Sequence, residues 1–102
     1  MSGVSVLAKR LRQARVRAGL SQRKLGIAAG LEESAANVRI NQYERGRHTP
    51  NIQMVQRFAK VLRVPTPFFY AEDDGLALWI LAFAKASMTL RQSVVKKMEK
   101  LP

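Results

Sequence analysis

Five consecutive positions, Val38-Arg39-Ile40-Asn41-Gln42, set a guanidinium, two carboxamides and a branched methyl pair around one isoleucine. If the segment is helical and Ile40 faces a core, steps of 100° carry Val38, Gln42 and Arg45 to the opposite side and Arg39 and Asn41 to its flanks. Those side chains match what base edges present. A carboxamide donates and accepts together at an adenine edge, which suits Asn41 and Gln42. Arg39 can bridge the two acceptors of guanine, and Val38 can touch a thymine methyl. Phosphates demand less, only charge or a donor at the right height. Gln22 and Arg23 are candidates at the amino end of a preceding helix, where the dipole favours an anion, as are Arg45, Arg47 and Thr49 within and after the segment. His48, the only histidine, reads as an ordinary surface side chain in the same turn.

The elements that must position these residues are legible from caps and periodicity. Ser5 can cap a first helix with Leu7, Leu11, Ala14 and Ala18 on one stripe and Lys9, Arg10, Arg12 and Arg17 outside it; Gly19 stops it. Ser21 caps a second helix, Gln22 to Ala29, with Leu25 and Ala28 inward and Gly30 supplying a left-handed stop. Ala36, Ile40 and Tyr43 predict a third over Ala35 to Arg45, ended by Gly46. Asn51 caps a fourth, striped by Val55, Phe58, Ala59 and Leu62 and closed by Pro65. Thr66 then caps a short turn with Pro67 in its first position, tucking Phe68, Phe69 and Tyr70 under the bundle. After Glu72-Asp73-Asp74-Gly75 come two more helices, about Leu76 to Ala86 and Thr89 to Leu101. Leu90, Val94, Met98 and Leu101 lie on one side of the last. Nothing reads as a strand pair.

Charge is unevenly distributed. Residues 1–70 carry 13 basic and 3 acidic side chains, and residues 71–102 carry 5 and 4, so nearly all of the net +11 belongs to the front of the chain. A basic front half suits a polyanion, because each neutralised phosphate releases a condensed counterion. With 102 residues there is room for one compact core and an extension. Absence of cysteine removes disulfides, thiol nucleophiles and Cys-rich zinc sites. With one histidine and no glycine-rich phosphate loop, an enzyme is not expected, nor a cofactor or metal. The acidic trio Glu72-Asp73-Asp74 reads as a helix start. The longest apolar run, Leu76 to Ala84, is nine residues, short of the ~20 a membrane span needs. No basic leader precedes the first helix, so a cytoplasmic protein is expected.

Leu20-Ser21-Gln22, Leu25, Gly30-Leu31, Ile40, Tyr43-Glu44-Arg45-Gly46 and Pro50 resemble the lambda-repressor-like, or Cro/Xre-type, DNA-binding domain over about Leu7 to Tyr70. The resemblance implies an all-α fold, a five-helix domain whose second and third helices form a helix-turn-helix with the third in the major groove of double-stranded DNA. It implies dimeric binding, as is common in the family. It adds Asn37, near the start of the third helix, to the base-reading candidates, and makes Glu44 structural through an ion pair with Arg15. Two departures stand out. The interval from Gly30 to Ile40 is longer than the family's usual one, so the turn is longer or the reading helix gains a turn at its front. Glu32 and Glu33 in that interval should point away from phosphate or cap the helix. Gly26 replaces the usual alanine, allowing close helix approach at a propensity cost of about 1 kcal/mol.

We therefore expect a DNA-binding domain over residues 1–71 and a two-helix C-terminal extension over 72–102. Leu76, Trp79, Ile80 and Phe83 give the extension an apolar face that something must cover. It can pack back on Phe68, Phe69 and Tyr70, form a twofold interface setting two reading helices about 34 Å apart, or dock another protein; the twofold interface is the favoured reading. The expected function is a sequence-specific transcriptional regulator, a repressor occupying a palindromic operator as a homodimer. The alternative is an antitoxin or adaptor whose C-terminal helices grip a partner protein.

Overall fold

The computed structural model describes residues 5–102, and residues 1–4 of the expected first domain lie outside the described residues. Helix starts follow their capping side chains. Ser5 accepts from the Ala8 amide to open α1 (Val6–Arg17), Ser21 from Lys24 to open α2 (Gln22–Ala28), and Asn51 from Met54 to open α4 (Ile52–Leu62). Each such cap contributes about 1 kcal/mol. Asp73 opens α5 (Asp74–Lys85) and Ser87 opens α6 (Met88–Glu99) in the same way. Between α4 and α5 a 3-10 helix spans Thr66–Tyr70; Pro65 occupies its cap position, so Thr66 is its first residue rather than its cap. Every regular element among the described residues is a helix, the all-α fold class expected from the sequence. Among the described residues no helix is long and apolar enough to cross a membrane.

The turn between α2 and α3 (Glu33–Glu44) resolves the long interval after Gly30. Gly30 sits at φ +95°, its amide donates to the Ile27 carbonyl, and the Leu31 amide donates to Gly26 at 2.9 Å. That paired closure ends α2 abruptly. The next helix begins at Glu33, two residues before the expected start. The extra residues thus lengthen the front of α3, and the turn stays short. Glu32 occupies the cap position without a side-chain cap. Glu33, in the first turn where the helix dipole favours an acid, pairs with Arg23 at 3.1 Å.

α2 and α3 approach closely at one point. A Cβ built on Gly26 would lie 2.7 Å from the Cβ of Ala36 and 3.0 Å from its Cα and carbonyl oxygen. The glycine is therefore required by the packing of the two helices. This contact rotates α2 relative to expectation: Gly26 and Ala29 are buried with Leu25, while Ala28 is exposed. Leu11, Leu25, Ile40, Val55, Phe58 and Phe69 are fully enclosed and form the centre of the core. The Tyr43 ring meets Phe58 edge-on at 6.0 Å, and Phe68 meets Phe69 edge-on at 5.7 Å. Tyr70 turns outward, unlike its two neighbours. Ala18 is also exposed, and α4 ends at Arg63, in the left-handed region with φ 56°, before Pro65 is reached.

Arg10 departs most from the sequence reading, which set it outside the apolar stripe. It is 2% exposed. Its Nε donates to the Ala71 carbonyl at 2.8 Å, Nη2 to the Glu72 carbonyl at 3.2 Å and Nη1 to Gln13 at 2.9 Å. The guanidinium also lies over the Phe68 ring. The link from the 3-10 helix to α5 leaves carbonyls without helical partners, and a planar group with five donors satisfies them. Arg10 and Lys9 further hold Asp74 at 3.0 and 3.1 Å. Buried Ala77 and half-buried Ile80 and Leu81 extend the core onto α5. α6 buries no residue; Arg91 ties it back to the Phe83 and Ala84 carbonyls and stacks on the Phe83 ring at 4.4 Å. The radius of gyration, 15.5 Å, exceeds the about 13 Å of a compact domain this size, because this arm projects.

Two outcomes follow from these contacts. Gly26→Ala gains about 1 kcal/mol of helix propensity but overpacks the α2–α3 contact at a cost of about 1–3 kcal/mol, so urea unfolding should show a net loss of up to about 2 kcal/mol. Adding Ala36→Gly should recover part of it. Separately, hydrogen bonds and charge from Lys9, then Arg10, hold the Asp74 carboxyl below its ordinary value of 3.8. Its contribution is present above the unfolded carboxylate range and is lost as pH falls through the lowered folded value. The protection of α5 amides, measured against their pH-dependent intrinsic exchange rate, should therefore fall at acid pH, and Asp74→Asn should show the reduced protection already at neutral pH.

Candidate nucleic-acid interface

Glu44, at the last turn of α3, is the joint on which the interface is built. Its carboxylate receives Arg15 of α1 in a two-pronged contact, Nε to Oε2 at 2.5 Å and Nη2 to Oε1 at 3.0 Å. The third nitrogen, Nη1, donates to the Leu20 carbonyl at 2.9 Å, fixing the α1–α2 loop. Gln22, opening α2, donates its amide to Glu44 Oε1 at 3.2 Å. One carboxylate thus ties together α1, the start of α2 and the end of α3. The Glu44 side chain is 3% exposed and that of Arg15 13%, so the pair is shielded from the water that weakens surface ion pairs. With two forks aligned, the geometry is the strong bidentate kind.

From that joint α3 presents its outer side. Ile40, Ala36 and Tyr43 are buried against the core, while Asn37, Val38, Arg39 and Asn41 are exposed and Gln42 is half-buried. Val38 is 58% exposed, an apolar side chain held out beside polar ones. α3 stands between two hollows: one lined by Arg39, Gln42, His48 and Thr49, the other by Arg12, Gln22, Asn41, Arg45 and Arg47. Within the second, Arg45 Nε donates to Asn41 Oδ1 at 3.2 Å, one helical turn away, so the two side chains hold each other's orientation. Gly46, at φ +73°, reverses the chain after α3 and brings Arg47 and His48 back; the Arg47 amide donates to the Gln42 carbonyl at 2.9 Å.

The residues expected at the amino end of α2 have partners of their own. The Gln22 amide is held by Glu44, and Arg23 is exposed but paired with Glu33. Arg45, Arg47 and Thr49 are exposed. Arg12 is the residue the sequence reading passed over. It stands three positions before Arg15, on the same side of α1, and lines the same hollow as Asn41, Arg45 and Arg47. On the extension, Leu76, Trp79 and Phe83 are exposed by half or more, whereas Ile80 leans on the core.

Removing the Glu44 carboxylate leaves the Arg15 charge buried without a counter-ion, at a cost of about 3–5 kcal/mol. Glu44→Ala should therefore lower the melting temperature sharply. An unchanged melting temperature with lost binding of DNA would assign Glu44 to the interface instead of the frame.

Comparison with known proteins places this geometry. The family described as helix-turn-helix domain matches residues 6–67. Over 66 residues, 65% of the chain, the sequence is 32% identical to a protein of Sinorhizobium medicae (strain WSM419) and to one of Rhizobium meliloti (strain 1021). Each bears the name uncharacterized HTH-type transcriptional regulator, and the chain spans 45% of the length of either. The crystal structure of transcriptional regulator BswR superposes with a TM-score of 0.88 at 39% identity, covering 92% of this chain and 93% of that one. With its helix pair, its glycine-closed turn and these relatives, the chain belongs to the helix-turn-helix family of transcriptional regulators.

Proposed function

We propose that the protein reads a specific DNA sequence through α3 in the major groove and represses transcription by occupying a palindromic operator as a homodimer. The observation that carries this reading is the outer side of α3, where Val38, Arg39 and Asn41 are exposed while Ile40, between them in sequence, is fully buried. A rigidly backed helix holding out a methyl pair, a guanidinium and a carboxamide is equipped for base edges. Base reading is assigned to Asn37, Val38, Arg39, Asn41 and Gln42. Phosphate contacts are assigned to Arg23, Arg45, Arg47 and Thr49, to which we add Arg12. Gln22, its amide engaged by Glu44, acts by holding the frame. The Arg23–Glu33 pair keeps the acid at the front of α3 from facing phosphate uncompensated.

Support for the homodimer comes from α5. Leu76, Trp79 and Phe83 recur at helical spacing and are uncovered in a single chain, with Ile80 at the edge of the stripe. A twofold contact between two such stripes would bury them and fix the distance between two reading helices. The same uncovered face supports a second reading, an antitoxin or adaptor in which the extension grips another protein. A stoichiometric partner that co-purifies and is lost on truncation after Tyr70 would favour that reading.

Selection of bound duplexes from a random pool tests the proposal. The recovered site should be symmetric, its affinity should survive excess random DNA, and the logarithm of affinity should fall linearly with that of salt. Arg39→Ala should cost about 1–3 kcal/mol and relax one base position; Arg47→Ala should weaken all sequences alike and reduce the salt slope by about 1. Trp79→Glu should leave a folded chain that binds half-sites only. Equal binding of matched and scrambled duplexes would end the reading.

A further inference from the structure

Away from α3, α1 and α5 diverge and leave a groove. Both helices run from the Arg10–Asp74 bridge, and their last turns carry Arg17 and Lys85 respectively. Two adjoining hollows, about 570 and 450 Å³, share Ala14, Arg17, Val64, Leu81 and Lys85. The first has an apolar floor and wall of Ala14, Phe68, Ala77, Leu78 and Leu81. Small side chains at Ala14 and Ala77 keep it open, and its volume falls in the range of about 300–1,000 Å³ typical of small-molecule sites.

The electrostatics of the groove are lopsided. At one end Asp74 is already neutralised by Lys9 and Arg10. At the other, Arg17 and Lys85 are exposed and make no ion pair among the described residues, and Arg63 lines the adjoining hollow beside them. An apolar trough ending in two unpaired cations fits a molecule with an apolar body and one anionic end. A guanidinium favours a carboxylate there because it can engage both oxygens. α6 of a second copy is a poorer occupant: with Arg91, Lys96 and Lys97 against Glu99 it is itself cationic, and like charges would meet at the rim.

We propose that this groove binds a small amphipathic carboxylate, its tail against Phe68, Leu78 and Leu81 and its carboxylate between Arg17 and Lys85. None of the base-reading candidates on α3 lines the groove, so the proposal stands or falls apart from the reading of DNA. Isothermal titration calorimetry of the full chain with dodecanoate below its micellar concentration should show saturable binding of one molecule per chain. Dodecanol and dodecyltrimethylammonium, with the same tail, should bind at least roughly tenfold more weakly, a gap of the size one charge-assisted contact supplies. Arg17→Glu with Lys85→Glu, both at exposed positions, should reverse the order of the charged pair, with circular dichroism confirming the fold. Leu78→Trp, which intrudes on the trough from an exposed site, should weaken dodecanoate, and Val16→Ser, exposed on α1 and lining neither hollow, should not. Equal binding of the three head groups, several molecules per chain, or a preference unmoved by the double charge reversal would overturn the proposal.

Discussion

The placement of α3 depends on one buried ion pair. Without the Arg15–Glu44 contact, α3 would be held only by its apolar side, which fixes depth but leaves rotation and sliding weakly opposed. The fork supplies direction: two aligned hydrogen bonds tolerate little twist, and the third nitrogen of Arg15 holds the loop from which α2 departs. Because both side chains are shielded, the arrangement is all or nothing. A shielded charge cannot be left alone, so the frame is either complete or strongly destabilised. This gives a basic, otherwise self-repelling surface a single defined geometry.

The second constraint is steric. Where α2 crosses α3, Gly26 lets the backbones meet over Ala36, and the short glycine-closed turn then dictates where α3 begins. Clamp and crossing act at different places along α3, the clamp at its last turn and the crossing nearer its front. Together they fix the helix at two points, which is what keeps Val38, Arg39 and Asn41 at a constant height above the domain. Of the abundant positive charge, the two arginines in the frame, Arg10 and Arg15, face inward and do structural work, while Arg12, Arg39, Arg45 and Arg47 remain at the surface. Net charge therefore overstates the electrostatic footprint, and its useful part is set by which cations the fold leaves free.

Beyond the bundle the chain changes character. α5 is joined to the core by Ala77 and by the Arg10 contacts, yet most of its large apolar side chains look outward, and α6 hangs from it by Arg91. The arm carries an uncovered apolar stripe on one side and a cation-ended trough on the other, and it is joined to the bundle below through Asp74, held by both Lys9 and Arg10, and through the packing of Ala77, Ile80 and Leu81.

Much of this was determined by the sequence alone. Caps and glycines are local chemistry, so Ser5, Ser21, Asn51, Gly19, Gly30 and Gly46 mark helix ends without reference to the rest of the chain, and the spacing of Ile40 and Tyr43 settles which side of α3 is buried. Tertiary structure decided what depends on partners distant along the chain. Arg10 lies outside the stripe by periodicity, yet it is buried because carbonyls 61 and 62 residues later need donors. Ala28 gives way to Ala29 because α2 rotates to seat Gly26 on Ala36. The placement of the extra residues before Ile40, in the helix and not the turn, follows from the two hydrogen bonds that close the turn at Gly30 and from the packing that lets α3 start at Glu33. Periodicity records which residues avoid water; only the assembled neighbours determine which polar groups must be satisfied inside.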